Sequence, residues 1–152
     1  MYPSLPNHKG SLVRRNHWMD AFTLARIFVC AFFAIVMIQS GLDKVFDWKG
    51  NLDWLTGHFG KTFLRNQVKP MLGTVAVFEI LAGFACATSV LTLILDRPPV
   101  LPMLAMILVC VDLLMLMAGQ RISKDYAGAA TLAIYFGVAL YGLTLMPGKI
   151  GG

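Results

Sequence analysis

Two carboxylic acids lie inside long apolar stretches of this chain, Glu79 in "VAVFEILAGF" and Asp112 in "LVCVDLLM". A charged side chain is costly in hydrocarbon, so each acid is expected to face other helices, a partner or water rather than lipid. A carboxyl in such surroundings can hold a proton or hydrogen-bond a polar ligand. Glu79 and Asp112 are therefore the first candidates for a functional site.

If the surrounding stretches are helices, the two acids share a level in the membrane. The rise per residue of a helix places Glu79 about 12 Å and Asp112 about 10 Å from the same side of the membrane. Two neighbouring carboxylates in a low dielectric disfavour each other's charge, so we expect at least one to be protonated near neutral pH, and we assign the proton to Glu79. Arg26 enters from the opposite side and is expected to reach the lipid headgroups there.

Other polar side chains are predicted to lie on the side of the membrane to which both acids are closer. Gln39 and Lys44 close the first apolar stretch, and Tyr126 opens the last one. We therefore predict a ligand-binding site, without a metal, formed by Glu79, Asp112, Lys44, Gln39 and Tyr126. The alternative is that Lys44 and its charged neighbours are ordinary headgroup-level charges.

The elements that must position these groups are membrane helices. Hydrophobic residues make up 57% of the 152 residues and charged residues only 14%, which is more apolar surface than a soluble domain of this length can bury. Four apolar runs are each long enough to span a bilayer, a task that takes roughly 18 or more residues. They cover about 21–41, 71–95, 100–119 and 127–146.

These runs predict an all-α fold, an integral membrane four-helix up-down bundle over 21–146. A polar N-terminal segment (1–20) precedes it, and a short C-terminal tail (147–152) follows. Short connections between the later runs favour antiparallel neighbours and both termini on one side. Outside the runs, five lysine and arginine residues fall on the terminal side and seven on the other, so their distribution favours neither orientation. The formal net charge of +5 does not indicate a nucleic-acid partner.

The polar segment between the first two runs carries an apolar stripe. Its members recur every three or four residues and are Trp48, Leu52, Leu55, Phe59 and Phe63. This spacing is typical of an amphipathic helix of about four turns. We predict an interfacial amphipathic helix lying over the polar end of the bundle; the alternative is a loose loop.

Small residues at helical spacing predict where helices approach closely. Ala76 and Gly83 share one face of the second run with Glu79, so the Glu79 side chain should point at another helix. Ala129, Ala133 and Gly137 repeat the pattern in the last run.

The chain carries no pattern typical of an intrinsic cofactor. Its three cysteines fall inside the runs without a C-x-x-C pair, which disfavours a disulfide-forming enzyme and leaves them as small buried hydrophobic residues. None of its three histidines lies inside a run as a haem ligand would, and nucleotide and flavin motifs are absent. A quinone or a bound lipid is the remaining candidate ligand.

Three segments resemble the DoxX-like family of small bacterial membrane proteins. "GLDKVFD" resembles the family's G-x-x-K pattern, "FEILAGFA" its E-x-x-x-G segment, and "GQRISKDYAGAATLAIYFGVAL" the entry to its last helix. The likeness covers roughly 22–145 and implies a multi-pass protein of the bacterial cytoplasmic (inner) membrane. It directs attention to Gly41, Lys44, Glu79, Gly83, Asp125 and Tyr126, and Gly41 and Gly128 join the predicted packing positions.

The family is named after a small membrane subunit of an archaeal quinol oxidase and thiosulfate:quinone oxidoreductase system. The resemblance therefore implies an accessory subunit of a quinone-linked redox or respiratory assembly, with membrane lipid and other proteins as partners. Because the chain shows no haem, metal, flavin or nucleotide motif, any redox chemistry is expected to belong to a partner or to a bound quinone. The alternative is a protein that binds or transports a proton or small molecule through Glu79 and Asp112. A free-standing quinone-dependent enzyme is the third possibility.

Overall fold

A computed structural model describes residues 20–146 of the protein, and these form five α-helices joined by short connections. The helices are α1 (Ala21–Phe46), α2 (Trp48–Phe59), α3 (Val68–Ile94), α4 (Val100–Ser123) and α5 (Tyr126–Leu145). No strand occurs over this range, which confirms the all-α prediction. The predicted segment before Asp20 and the tail after Met146 lie outside the described residues.

Four of these helices, α1, α3, α4 and α5, are long and apolar enough to cross a membrane, as the sequence predicts for a multi-pass membrane protein. α1 continues beyond its predicted run from Gly41 to Phe46 and α4 from Gly119 to Ser123, and α3 begins at Val68, before its predicted run. Hydropathy marks only the hydrocarbon, whereas a helix can continue into the headgroup region. Lys44 and Arg121 lie in the last turns of α1 and α4, where a cation interacts favourably with the helix dipole.

The four long helices form a closed bundle in the order α1, α3, α4, α5. α1 packs most extensively on α3, α3 on α4 and α4 on α5, and α5 returns to α1. The Nε atom of Arg26 near the start of α1 donates a hydrogen bond of 2.7 Å to the carbonyl oxygen of Leu145 at the end of α5. The described chain therefore begins and ends at one end of the bundle. Arg26 contacts the last turn of α5 rather than headgroups alone, because that turn leaves carbonyl groups without helical partners.

The contact between α1 and α3 depends on two glycines that face each other's helix. A Cβ atom at Gly41 of α1 would lie 2.7 Å from Ile80 Cγ1, and one at Gly83 of α3 would lie 2.6 Å from Ile38 Cγ1 and 2.8 Å from the Ile38 backbone nitrogen. Ala76 is buried on the same face of α3. Gly41 and Gly83 therefore lie in the contact between α1 and α3, where the sequence predicts close packing.

The prediction for α5 was partly wrong. Ala129 is buried, but Ala133 and Gly137 are exposed, and a Cβ atom at Gly137 would meet nothing within 4 Å. α5 instead packs through Ala139 and Gly142. A Cβ atom added at Gly142 would lie 2.5 Å from Val29 Cγ1 and 3.1 Å from Met106 Sδ. Small residues permit a close approach without requiring one, and α5 has protein neighbours on only part of its circumference.

The core of the bundle is apolar and fills the space between the four long helices. Phe33, Met37, Met106 and Val109 are buried in it together with Cys30. Cys86 is buried there as well, and the three cysteines are free thiols. Cys30 and Cys86 therefore occupy core positions of the kind predicted for small hydrophobic residues.

α2 confirms the helix predicted between the first two spans, although it is shorter than its apolar stripe. Trp48, Leu52 and Leu55 are half-buried against the bundle and Phe59 is buried, whereas Phe63 lies beyond the helix and is 79% exposed. Glycines at 57 and 60 are unfavourable in a helix interior, and the chain turns at the second of them. α2 packs mainly on α3, at the end where α1 and α4 finish and α3 and α5 begin. We call this the α2 end.

Candidate ligand-binding site

Lys44 and Glu79 form a buried ion pair below the α2 end. The Nζ atom of Lys44, in the last turn of α1, lies 2.8 Å from Oε1 of Glu79 on α3. The glutamate side chain is 1% exposed and the lysine side chain 16%. The close approach of α1 and α3 at Gly41 lets the lysine reach inward, so Lys44 is not an ordinary headgroup-level charge.

Ser40 completes the pair and was missed from the sequence. Its hydroxyl donates a hydrogen bond of 2.8 Å to Glu79 Oε1, and Lys44 Nζ lies 2.9 Å from Ser40 Oγ and 3.2 Å from the Ser40 carbonyl oxygen. Residues four apart on a helix lie on one face, which is why Ser40 and Lys44 meet the same carboxylate oxygen. That spacing was the signal that could have identified the serine.

Asp112 lies on α4 beside this pair and has no exposed surface. It is close enough to Glu79 and Lys44 for both charges to act on it, so the structure brings the two predicted acids together. Neither carboxyl oxygen of Asp112, and only one of the two in Glu79, has a hydrogen-bond partner among residues 20–146.

A cavity opens above the ion pair, between α2, α3 and α4. Its empty volume, with the open mouth included, is about 540 Å³. Most of the lining residues are apolar, and Lys44 of α1 is one of the few that are not. The others are Trp54, Leu55, His58 and Phe59 of α2, Val68, Met71, Leu72 and Val75 of α3, and Met115, Leu116, Gly119 and Gln120 of α4. We call it the α2-end cavity.

Three polar side chains face this apolar cavity, namely Lys44, His58 and Gln120. The Nε2 atom of His58 and the Oε1 atom of Gln120 are buried and have no hydrogen-bond partner in the part of the chain that the structure describes. The His58 ring stacks on Trp54, with 4.6 Å between ring centroids. Buried polar atoms are normally satisfied, so two unsatisfied ones beside a cation mark a place for a polar group.

His58 and Gln120 were not predicted as site residues. His58 lies outside the apolar runs, and Gln120 follows the predicted end of the third. Both enter the site because α2 folds over the bundle and α4 continues past Gly119. The stripe that brings Leu55 and Phe59 inward could have indicated His58, since it lies three residues after Leu55.

Two predicted site residues lie elsewhere. Gln39 is exposed on the outer side of α1, because the five residues to Lys44 rotate a helix by about 140°. Tyr126 is 60% exposed at the start of α5, with the Arg121 guanidinium 4.9 Å from the centre of its ring. Neither lines the α2-end cavity. Gly128, a predicted packing position, donates its backbone N–H to Asp125 Oδ1 at 2.9 Å in the α5 cap, and a Cβ atom there would lie 2.8 Å from Gln120 Cδ of α4.

The arrangement combines an apolar cavity, lined also by a cation, an imidazole and an amide, with the buried carboxyl groups of Glu79 and Asp112. Lysine and histidine can donate hydrogen bonds to ligand oxygens, and an amide can donate or accept. No group of histidine, cysteine, aspartate and glutamate side chains within residues 20–146 has the geometry to hold a metal ion.

No family model matches the chain, and no match is found among curated proteins or solved structures. The resemblance to the DoxX-like family therefore stays a prediction.

Proposed function

We propose that this protein binds a quinone, or an amphiphile of similar shape, in the α2-end cavity, as a DoxX-like accessory subunit of a redox assembly in the bacterial cytoplasmic membrane. The observation that carries the proposal is the pair of unsatisfied buried atoms, His58 Nε2 and Gln120 Oε1, beside Lys44 in an otherwise apolar cavity. The wall of the cavity is mostly apolar with a few polar side chains, which is the usual composition of a ligand pocket.

The chemistry of a quinone suits this cavity. Its ring and tail are apolar and can pack on Trp54, Phe59 and Met115. Its carbonyl oxygens accept hydrogen bonds, which His58 can donate in the Nε2–H tautomer and Gln120 can donate after rotation of its amide. A bound quinone would satisfy groups that otherwise remain buried without partners.

Fluorescence of Trp54 tests quinone binding directly. A short-tailed quinone added to the protein in nanodiscs should quench tryptophan emission saturably, and Trp54→Phe should remove most of the saturable quenching. Gln120→Leu should raise the Kd about five- to tenfold, which corresponds to one hydrogen bond of about 1 kcal/mol. The matched control is Gln39→Leu, which changes the same residue type outside the cavity. Equal affinities for Gln120→Leu and Gln39→Leu would contradict the proposed site.

Transport or storage of a proton is the second candidate function. Asp112 favours it, because this acid lies fully buried within a spanning helix and its two oxygens have no partner among the described residues. Ionisable groups in membrane interiors commonly serve proton pathways.

Purification in mild detergent and reconstitution distinguish the two functions. An accessory subunit should co-purify in fixed ratio with redox proteins and leave liposomes proton-tight. A proton carrier should purify alone and dissipate a pH gradient in liposomes, and Asp112→Asn should abolish that flux. Proton-tight liposomes containing a protein that purifies alone would contradict both the assembly role and the transport role.

A further inference from the structure

Lys44 faces both the cavity and the acid pair, and its hydrogen-bonding capacity is already used. Its ammonium group has three donors, and three acceptors surround it: Glu79 Oε1, Ser40 Oγ and the Ser40 carbonyl oxygen. The same side chain lines the α2-end cavity. A ligand oxygen that binds Lys44 must therefore compete with Glu79 for it.

The charges of the three buried groups balance only if Asp112 carries a proton. Lys44 and Glu79 neutralise each other at 2.8 Å. Asp112 has no exposed surface and no partner for either oxygen within residues 20–146, and an ionised carboxylate in that condition is strongly disfavoured. The geometry thus gives the proton to Asp112 and not to Glu79, the acid to which the sequence analysis assigned it.

The cavity itself favours negative charge. Its polar lining consists of Lys44, His58 and Gln120, and no aspartate or glutamate is among the lining residues that the structure describes. A head group that brings a full negative charge would pair with Lys44 more strongly than a neutral carbonyl would, because charge-assisted hydrogen bonds are the stronger class.

We propose that the α2-end cavity binds an amphiphile with an anionic head group, that this oxyanion displaces Glu79 from Lys44, and that Glu79 takes up one proton as it is displaced. The proposal rests on the proposed function, since it names the charge of the ligand that the same cavity takes. It adds a coupling between ligand binding and proton uptake.

The charges and protons balance in this exchange. Before binding, the site holds Lys44 as a cation, Glu79 as an anion and Asp112 as a neutral acid. After binding, Lys44 is paired with the ligand anion, and Glu79 and Asp112 are both neutral acids. One proton comes from water, one O–H bond forms on Glu79, and the site stays neutral. Without the proton, the ligand would leave a buried carboxylate unpaired, which is the costly state.

Proton uptake makes affinity depend on pH. By linkage, a ligand that binds with one proton gains affinity as pH falls, by about tenfold per pH unit while Glu79 is ionised in the free protein. The groups that face Glu79 are Lys44 on α1 and Asp112 on α4; on its own helix Lys69 is exposed near the start. From α2, the imidazole of His58 shares the cavity, so its contribution to proton uptake must be separated from that of Glu79.

Decyl sulfonate is the probe, because a sulfonate stays ionised over the pH range used and its chain matches the apolar wall. Calorimetry on the protein in phosphatidylcholine nanodiscs, in two buffers of different ionisation enthalpy, counts the protons taken up. We expect about one proton per sulfonate bound near neutral pH, and a Kd that rises about tenfold per pH unit. Empty nanodiscs supply the partition background. Addition of phosphatidylglycerol shows whether a lipid phosphate occupies the same cavity, in which case the apparent sulfonate affinity falls.

Variants assign the proton. Glu79→Gln should bind sulfonate without proton uptake and without pH dependence, whereas Asp112→Asn and His58→Gln should each still take up about one proton per ligand. The proton count of the unmodified protein is decisive even if Glu79→Gln fails to fold. Sulfonate binding without proton uptake overturns the coupling, and loss of uptake in Asp112→Asn overturns the assignment to Glu79. If a neutral quinone quenches Trp54 but the sulfonate does not bind, the proposal of an anionic ligand is overturned and the proposed function stands. If neither ligand binds, the proposed function is overturned as well.

Discussion

Lys44→Leu should lower the free energy of unfolding by about 3 kcal/mol or more, since breaking a buried ion pair at one partner leaves an uncompensated charge. The remaining carboxylate, Glu79, is 1% exposed and would keep only the Ser40 hydroxyl as a donor. Protonation of Glu79 limits the loss, so the effect should be larger at high pH than at low pH. Unfolding in mixed micelles with increasing denaturing detergent, followed by circular dichroism, measures it.

The double variant Lys44→Leu/Glu79→Leu is the control for this effect. Replacing both members of a buried pair with apolar residues is often neutral or stabilising, so the double variant should be more stable than Lys44→Leu alone. Gln39→Leu, on the exposed side of α1, should change stability little. Additive losses in the double variant would show that Lys44 and Glu79 do not stabilise each other.

Gly83→Ala should destabilise the bundle by about 1–3 kcal/mol, the usual range for overpacking a close contact. The added Cβ would lie 2.6 Å from Ile38 Cγ1 and 2.8 Å from the Ile38 backbone nitrogen. A side chain can rotate away, but a backbone atom moves only if α1 and α3 separate. The same separation would lengthen the Lys44–Glu79 contact. Detergent unfolding followed by circular dichroism measures the loss of stability.

Gly137→Ala is the matched control within the same bundle. A Cβ atom at Gly137 meets nothing within 4 Å, and alanine is a better helix former than glycine by up to about 1 kcal/mol. This variant should therefore be as stable as the unmodified protein or more so. A loss for Gly137→Ala equal to that for Gly83→Ala would mean that α5 carries a contact through Ala133 and Gly137 that is absent from the monomer.

The helical membrane bundle and its two intramembrane acids follow from the sequence alone. Four long apolar runs have few alternatives to spanning helices, because backbone groups must be hydrogen-bonded within each segment in lipid. The direction of Glu79 also followed from sequence, since Ala76 and Gly83 share its face and mark a helix contact. These are properties of single helices, and they depend only on the local residue pattern and on the surrounding lipid.

Which polar groups meet depends on how the helices pack. Lys44 turns inward and Gln39 outward because α3 approaches α1 on one face, at Gly41 and Gly83. His58 and Gln120 reach the cavity because α2 folds back over α3 and α4. The same cause explains the wrong prediction for α5: helical spacing shows which residues share a face, but the neighbouring helices decide whether that face meets protein or lipid. In a membrane the apolar pattern distinguishes these two surroundings poorly, because lipid is as apolar as a core side chain.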